Sequence, residues 1–271
     1  MAVPPSRQWP RGPINGLHCA ANHGSTERIV ALLAQGVIDI DQGTPTGYTP
    51  LMLATASDHP RAVRILLNKG ADISVVNNDG FTALYESATR GHLDVTKLLV
   101  TAGADLEAKT STTGSTPLHA AVEAGHLGVT RVLIEAGANP NSRTLDGVTP
   151  LYRVAWAGRV DAIKVLLRAK ANPLFPLLAY SCSSGTTFVP LDAAAQKGHS
   201  EVVETPIQEH KIGGCGGAGG GVTALEMAAM NQHMEVMGLP TSAGVVDTGR
   251  ALLAAAACGQ ELPMKFLLQH Q

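Results

Sequence analysis

Short apolar runs at helical spacing alternate with polar, glycine-bearing turns along this chain, and the alternation is periodic. Reading one leucine per run as a ruler, Leu17, Leu51, Leu84, Leu118 and Leu151 step by 34, 33, 34 and 33 residues. A constant step of this size predicts stacked helix-turn-helix units, each too small to bury its apolar face without a neighbour. The first helix of a unit starts just before its ruler leucine. The second carries the pairs Leu66/Leu67, Leu98/Leu99, Leu133/Ile134 and Leu166/Leu167, a stripe that stacks on the next unit.

The helix starts and stops are written locally. Thr116 is a good N-cap, its hydroxyl placed to accept from the His119 backbone N–H, and Pro117 takes the first helical position, where its missing N–H costs nothing. Thr49-Pro50, Thr82-Ala83 and Thr149-Pro150 repeat the device. Gly24, Gly91, Gly125, Gly158 and Gly198 fall where the first helix must stop in a left-handed residue. Asp58 and Gln232 replace that glycine in two copies, so the turn at Gln232 is expected to be strained or differently shaped.

The run Thr116, Pro117, Leu118, His119, Ala120, Ala121, followed by Gly125 and His126, resembles the ankyrin repeat, whose T-P-L-H-x-A signature has a period of about 33 residues. The resemblance spans residues 14–271, strongly over 46–173, with degenerate copies beginning near Asn15, Val189, Thr223 and Arg250. It implies an all-α solenoid of seven or eight repeats with short β-turn fingers and irregular terminal copies as caps. Residues 1–13, holding Pro4, Pro5, Pro10 and Pro13, are expected to form an extended arm before one continuous array.

Two segments break the period. Leu151 to Leu191 spans 40 residues, and the excess, 174–188, is apolar from Leu174 to Tyr180. A cap folded over the edge of the stack is expected there, with an exposed docking loop as the other reading. Pro206 and Pro240 then stand where Leu66, Leu99, Leu133 and Leu166 sit in the regular copies, which predicts early helix ends. Between them, 211–221 reads as a flexible glycine-rich insertion. Gly214, Gly216 and Gly219 have the spacing of a dinucleotide-binding turn, but a truncated helix precedes them where that turn needs a strand. The step from Leu225 to Leu252 is only 27 residues, leaving the last hairpin incomplete.

Composition narrows the function. A formal charge of −2, a pI near 6.5 and no run of Lys or Arg argue against a nucleic-acid footprint or an acidic membrane surface. Cys19, Cys182, Cys215 and Cys258 are isolated, which signals neither structural zinc nor a secreted disulfide framework. With no secretory leader and no apolar run of roughly 20 residues, an intracellular protein without membrane insertion is expected. His59, His92, His126, His199 and His233 share one register just after the first helix, one per repeat, and read as turn residues rather than a metal set. No nucleophile elbow, carboxylate pair or Cys/His arrangement can be gathered into one pocket, so no enzymatic activity, cofactor or metal is expected.

What remains is protein recognition. The resemblance implies a concave face built from finger tips and first helices, with variable residues at set places. Those before the helix are Tyr48, Phe81, Ser115, Val148 and Phe188, preceded by Asp79, Thr113 and Asp146; those at the helix end are Ser57, Thr89, Arg90, Glu123 and Trp156. Tyr48, Ser57, Phe81, Thr89, Arg90, Glu123, Trp156 and Phe188 are the partner-binding candidates, with Trp156 and Arg90 foremost because Trp and Arg dominate interface energetics. A noncatalytic adaptor or scaffold is the expected function. The alternative is a fixed structural subunit of a large multiprotein complex.

Overall fold

The structure is a computed structural model that describes residues 14–36, 38–173, 189–204, 224–238 and 248–269. Among the described residues it is all-helical, with no strand. It divides into two compact units, residues 1–138 and 139–271. The arm at 1–13, the insertions at 174–188 and 211–221, and both Pro206 and Pro240 lie outside the described residues.

Four hairpins make the first unit: α1 (Gly16–Asn22) with α2 (Thr26–Ala34), α3 (Pro50–Ala56) with α4 (Pro60–Asn68), α5 (Ala83–Arg90) with α6 (Leu93–Thr101), and α7 (Pro117–Ala124) with α8 (Leu127–Glu135). First helices pack in chain order, α1 on α3, α3 on α5 and α5 on α7, and second helices follow the same order. The second unit holds α9 (Pro150–Trp156), α10 (Val160–Arg168) and α11 (Pro190–Lys197), then a helical segment over 200–204 and the helices Ala224–Met230, Met234–Met237, Thr248–Ala257 and Glu261–Gln269. There α9 packs on α11, α11 on Ala224–Met230, and that helix on Thr248–Ala257.

The leucine ruler is the core. Leu17, Leu51, Leu84, Leu118 and Leu151 are each at most 2% exposed, as are Leu66, Leu99, Leu133 and Leu166 of the second helices. At the C-terminal end the register departs from the ruler. Ala251 and Ala255 are fully buried, Leu252 is half-buried and Leu253 is exposed, so Ala251 takes the leucine's place one residue early.

The caps follow the local chemistry, with one addition at Thr116. Thr49, Thr82 and Thr149 accept from the N–H of Met52, Tyr85 and Tyr152 at 3.3, 3.2 and 3.2 Å. At Thr116 the buried His119 completes a capping box: the threonine side chain accepts from the His119 backbone N–H, while the ring Nδ1 accepts the Thr116 N–H at 3.3 Å and lies 2.9 Å from the Thr116 hydroxyl. An imidazole three residues into a helix reaches back to the cap as a glutamine would. His18 does the same for the Asn15 N–H at 3.2 Å, and its Nε2 lies 2.8 Å from the Gln42 carbonyl in the first finger. Burial pulls the His18 pKa down, which favours the neutral ring this pairing needs.

Where Asp58 and Gln232 replace glycine, the turn keeps its left-handed shape at φ 53° and 62°; at Gln232 this is the strained of the two expected outcomes. Lys170 adds a third such residue at φ 64°, in a place that Gly70, Gly103 and Gly137 hold in earlier repeats.

Candidate functional site

The fingers are tight hairpin turns. Thr44 N–H donates to Tyr48 O at 2.9 Å, Asn77 to Phe81 O at 3.0 Å, Thr110 to Ser115 O at 3.0 Å and Thr144 to Val148 O at 3.0 Å. Neighbouring tips are tied in turn: Asn78 N–H donates to Thr46 O at 3.1 Å, and the Ser111 hydroxyl to Asp79 O at 2.9 Å. Each finger fixes the residue that enters the next first helix, so Tyr48 and Phe81 are held by backbone geometry.

In the first unit these residues frame an open groove of about 690 Å³. Tyr48, Ser57 and Arg90 line it together with Ile14, His18 and Leu53. Three of the sequence candidates therefore converge. The Tyr48 hydroxyl donates to Glu86 Oε1 at 2.5 Å, and Arg90 Nε donates to Glu86 Oε2 at 3.1 Å. Glu86 is only 4% exposed, so a nearly buried carboxylate locks a phenol and a guanidinium into one wall. Burial, reinforced by the bond to Glu86, pushes the Tyr48 phenol up to about 12. Sequence reasoning missed Glu86. Its signal was the spacing of Glu86 and Arg90 at i and i+4 on one helix face.

The other candidates are placed one by one. Ser57 donates to Asn22 Oδ1 at 2.9 Å across to the preceding repeat. Phe81 stacks on Tyr85 with ring centroids 4.6 Å apart, so its ring is partly spent on packing. Thr89 is exposed, but its hydroxyl is turned inward onto Tyr85 O at 2.9 Å. Glu123 is exposed at the end of α7. Phe188 lies outside the described residues.

In the second unit Trp156 keeps 41% of its surface exposed. One side of its environment is set by Tyr152, stacked at 6.5 Å, and by Lys197, whose ammonium sits 4.1 Å from the ring centroid. Such a cation over an indole is worth about 0.5–1 kcal/mol at an exposed site and holds the ring still. A fixed, half-exposed indole costs little entropy on binding.

The second unit also holds a buried acidic pair. Asp192 and Glu226 are 1% and 4% exposed. Asp192 Oδ2 accepts the Val189 N–H at 3.0 Å, while Oδ1 is buried without a hydrogen-bond partner among the described residues. Burial, and then the Glu226 charge, push the Asp192 carboxyl up to about 7, despite the opposing bond from Val189. Arg250 Nε lies 3.0 Å from Glu226 Oε1.

The register histidines bond to the preceding repeat. Nε2 of His59, His126, His199 and His233 lies 3.1, 3.1, 3.2 and 2.9 Å from the carbonyls of Asn22, Thr89, Trp156 and Gln196. His92 uses Nδ1 instead, 2.8 Å from Thr55 O. These imidazoles join repeats to one another.

A family model for ankyrin repeats matches three times, at residues 17–110, 70–144 and 107–175, which together exceed half of the chain. A stretch of 64 residues, 24% of the chain, is 33% identical to the NAD-capped RNA hydrolase NUDT12 of Homo sapiens, and as similar to those of Macaca fascicularis and Pongo abelii. A stretch of 59 residues, 22% of the chain, is 36% identical to the E3 ubiquitin-protein ligase KEG of Arabidopsis thaliana. These matches span 14% of the hydrolase and 4% of the ligase, far below two thirds of either relative.

Proposed function

The chain belongs to the ankyrin-repeat family, and from that premise we propose that it is a noncatalytic adaptor that grips a partner protein through the concave face of its repeats. The observation that carries this reading is the groove of the first unit, where Tyr48, Ser57 and Arg90 meet over Ile14 and Leu53. Apolar floor, fixed aromatic and cationic rim are the makings of a protein interface. The second unit has a recognition anchor of its own in Trp156, held by Tyr152 and Lys197. The relatives support the same view. Their names state two different activities, and each shares only a short stretch with this chain, as befits a recognition module that accompanies unrelated chemistry.

The reading is tested with a captured partner in hand, by measuring its affinity for the wild type and for Trp156→Ala. Loss of an indole anchor is expected to weaken binding by about 2 kcal/mol, some thirtyfold, with helical content unchanged. Equal affinity would remove Trp156 from the interface.

A further inference from the structure

The outer face of the first unit carries a second groove, formed by the second helices and independent of the one above. It has a volume of about 680 Å³ and is lined by Thr26 of α2, Pro60, Arg61, Arg64 and Ile65 of α4, and Asp94, Lys97, Leu98 and Thr101 of α6. Ile65 and Leu98 are half-buried and make an apolar floor, while Arg61, Arg64 and Lys97 stand exposed along its edges.

The charge of this groove is uncompensated. From Pro60 to Lys69 the chain carries Arg61, Arg64 and Lys69 and no acidic residue. Among the described residues neither Arg61 nor Arg64 has an ion-pair partner or a hydrogen bond from its side chain. The groove's single acid, Asp94, is already 3.9 Å from Lys97. Arg61 and Arg64 also lie three residues apart on one helix face, where like charges repel. Arg61 is the second residue of α4, at the end whose macrodipole is itself positive and which stabilises anions. Two local rules are broken in one turn of a helix whose apolar residues otherwise obey the repeat. Such a conflict is the mark of a position kept for a ligand rather than for stability.

We propose that this outer groove docks an acidic, amphipathic segment of a partner protein, its carboxylates on Arg61, Arg64 and Lys97 and an apolar side chain on Ile65 and Leu98. Two features favour a protein segment over the other polyanions. The cations border a recessed apolar floor, which a phosphate backbone would leave unfilled. Their number is small in a chain of net charge −2, whereas nucleic acids and acidic membranes are held by broad basic surfaces. The guanidiniums suit carboxylates because each offers a planar fork for bidentate pairing.

The experiment selects a random peptide library on the full chain and measures the enriched peptides by fluorescence anisotropy on the wild type, Arg61→Gln/Arg64→Gln and Asp94→Asn. Enriched sequences rich in Asp and Glu with apolar residues at helical spacing are expected. Their binding should fall about tenfold in the double variant, from two lost ion pairs, and tighten in Asp94→Asn, while both variants keep the cooperative melting of the wild type and the double variant melts no lower than it. Enriched peptides that lack acidic residues, or bind the double variant equally, would overturn the proposal. So would tighter binding of single-stranded DNA or phosphatidylserine vesicles that is lost in the same double variant. Asp94→Asn acts in the opposite direction and keeps the test decisive should the double variant lose its fold.

Discussion

The imidazole of His59 lies where a side chain on Gly24 would have to go: its ring atoms are 2.7 Å from the site of a Cβ on that glycine. The pairing recurs at three later turn glycines. His126 is seated against Gly91, His199 against Gly158 and His233 against Gly198. The glycine thus meets two demands, a left-handed turn and room for the next repeat's ring. Asp58 supplies the exception. There a Cβ is present, and His92 bonds through Nδ1 to Thr55 O, one residue earlier than the carbonyl its counterparts use.

Gly91→Ala is therefore expected to cost about 2–3 kcal/mol, combining left-handed strain with loss of the bond from His126 to Thr89 O. Gly103→Ala is the control, since Gly103 has similar φ and open space around its Cβ position; it is expected to cost only the backbone share of about 1–2 kcal/mol. Urea denaturation of both variants checks this. Equal losses would mean that the histidine contact contributes nothing.

This relationship was not readable from the chain. Leu17 through Leu151, the threonine caps and the turn glycines are local features whose spacing carries their meaning, and the hairpins follow from them. The histidines were readable as turn residues by their shared register, but each bonds to a carbonyl of the preceding repeat, 37 residues earlier for four of them and 43 for His199, and only packing makes that contact. Glu86 was missed because a glutamate in a short helix reads as a solvated residue until Tyr48, from the preceding finger, is laid upon it. The convergence of Tyr48, Ser57 and Arg90 was legible only through the family resemblance. At Leu252 the ruler failed because alanines at 251 and 255 pack where a leucine does elsewhere.

The Tyr48 phenol gives a direct spectroscopic test of the groove wall. Tyrosinate absorbance is expected to show Tyr48 ionising near pH 12, above the usual 10. Because the folded pKa is raised, its stabilising share is whole below about pH 10 and is lost as pH rises through 12. Glu86→Gln is expected to lower the transition by removing the acceptor charge. An unchanged transition would show that burial alone sets it.

Asp192 makes the second unit sensitive to pH in the neutral range. Its carboxyl titrates at about 7 in the folded chain against an ordinary 3.8. A raised folded pKa stabilises below the unfolded value, and that stability is lost as pH climbs through 7. The melting temperature of the wild type is expected to fall between mildly acidic and mildly alkaline buffer. Asp192→Asn, which keeps an acceptor for Val189 N–H, is expected to flatten the slope and to stabilise the alkaline side by about 1–3 kcal/mol, because no negative charge then has to be buried near Glu226. A wild-type slope retained in the variant would place the titration elsewhere.

The central claim is partner recognition by the concave face, and tagged capture from source-cell extract tests it most directly. Wild type, Ser57→Arg and Trp156→Asp are compared by mass spectrometry of what each retains, with circular dichroism confirming the fold. The account predicts a discrete partner set held by the wild type and lost from Ser57→Arg, which fills the groove, and from Trp156→Asp. The same partners retained by all three folded chains, in one large assembly, would contradict it and favour a permanently built-in subunit.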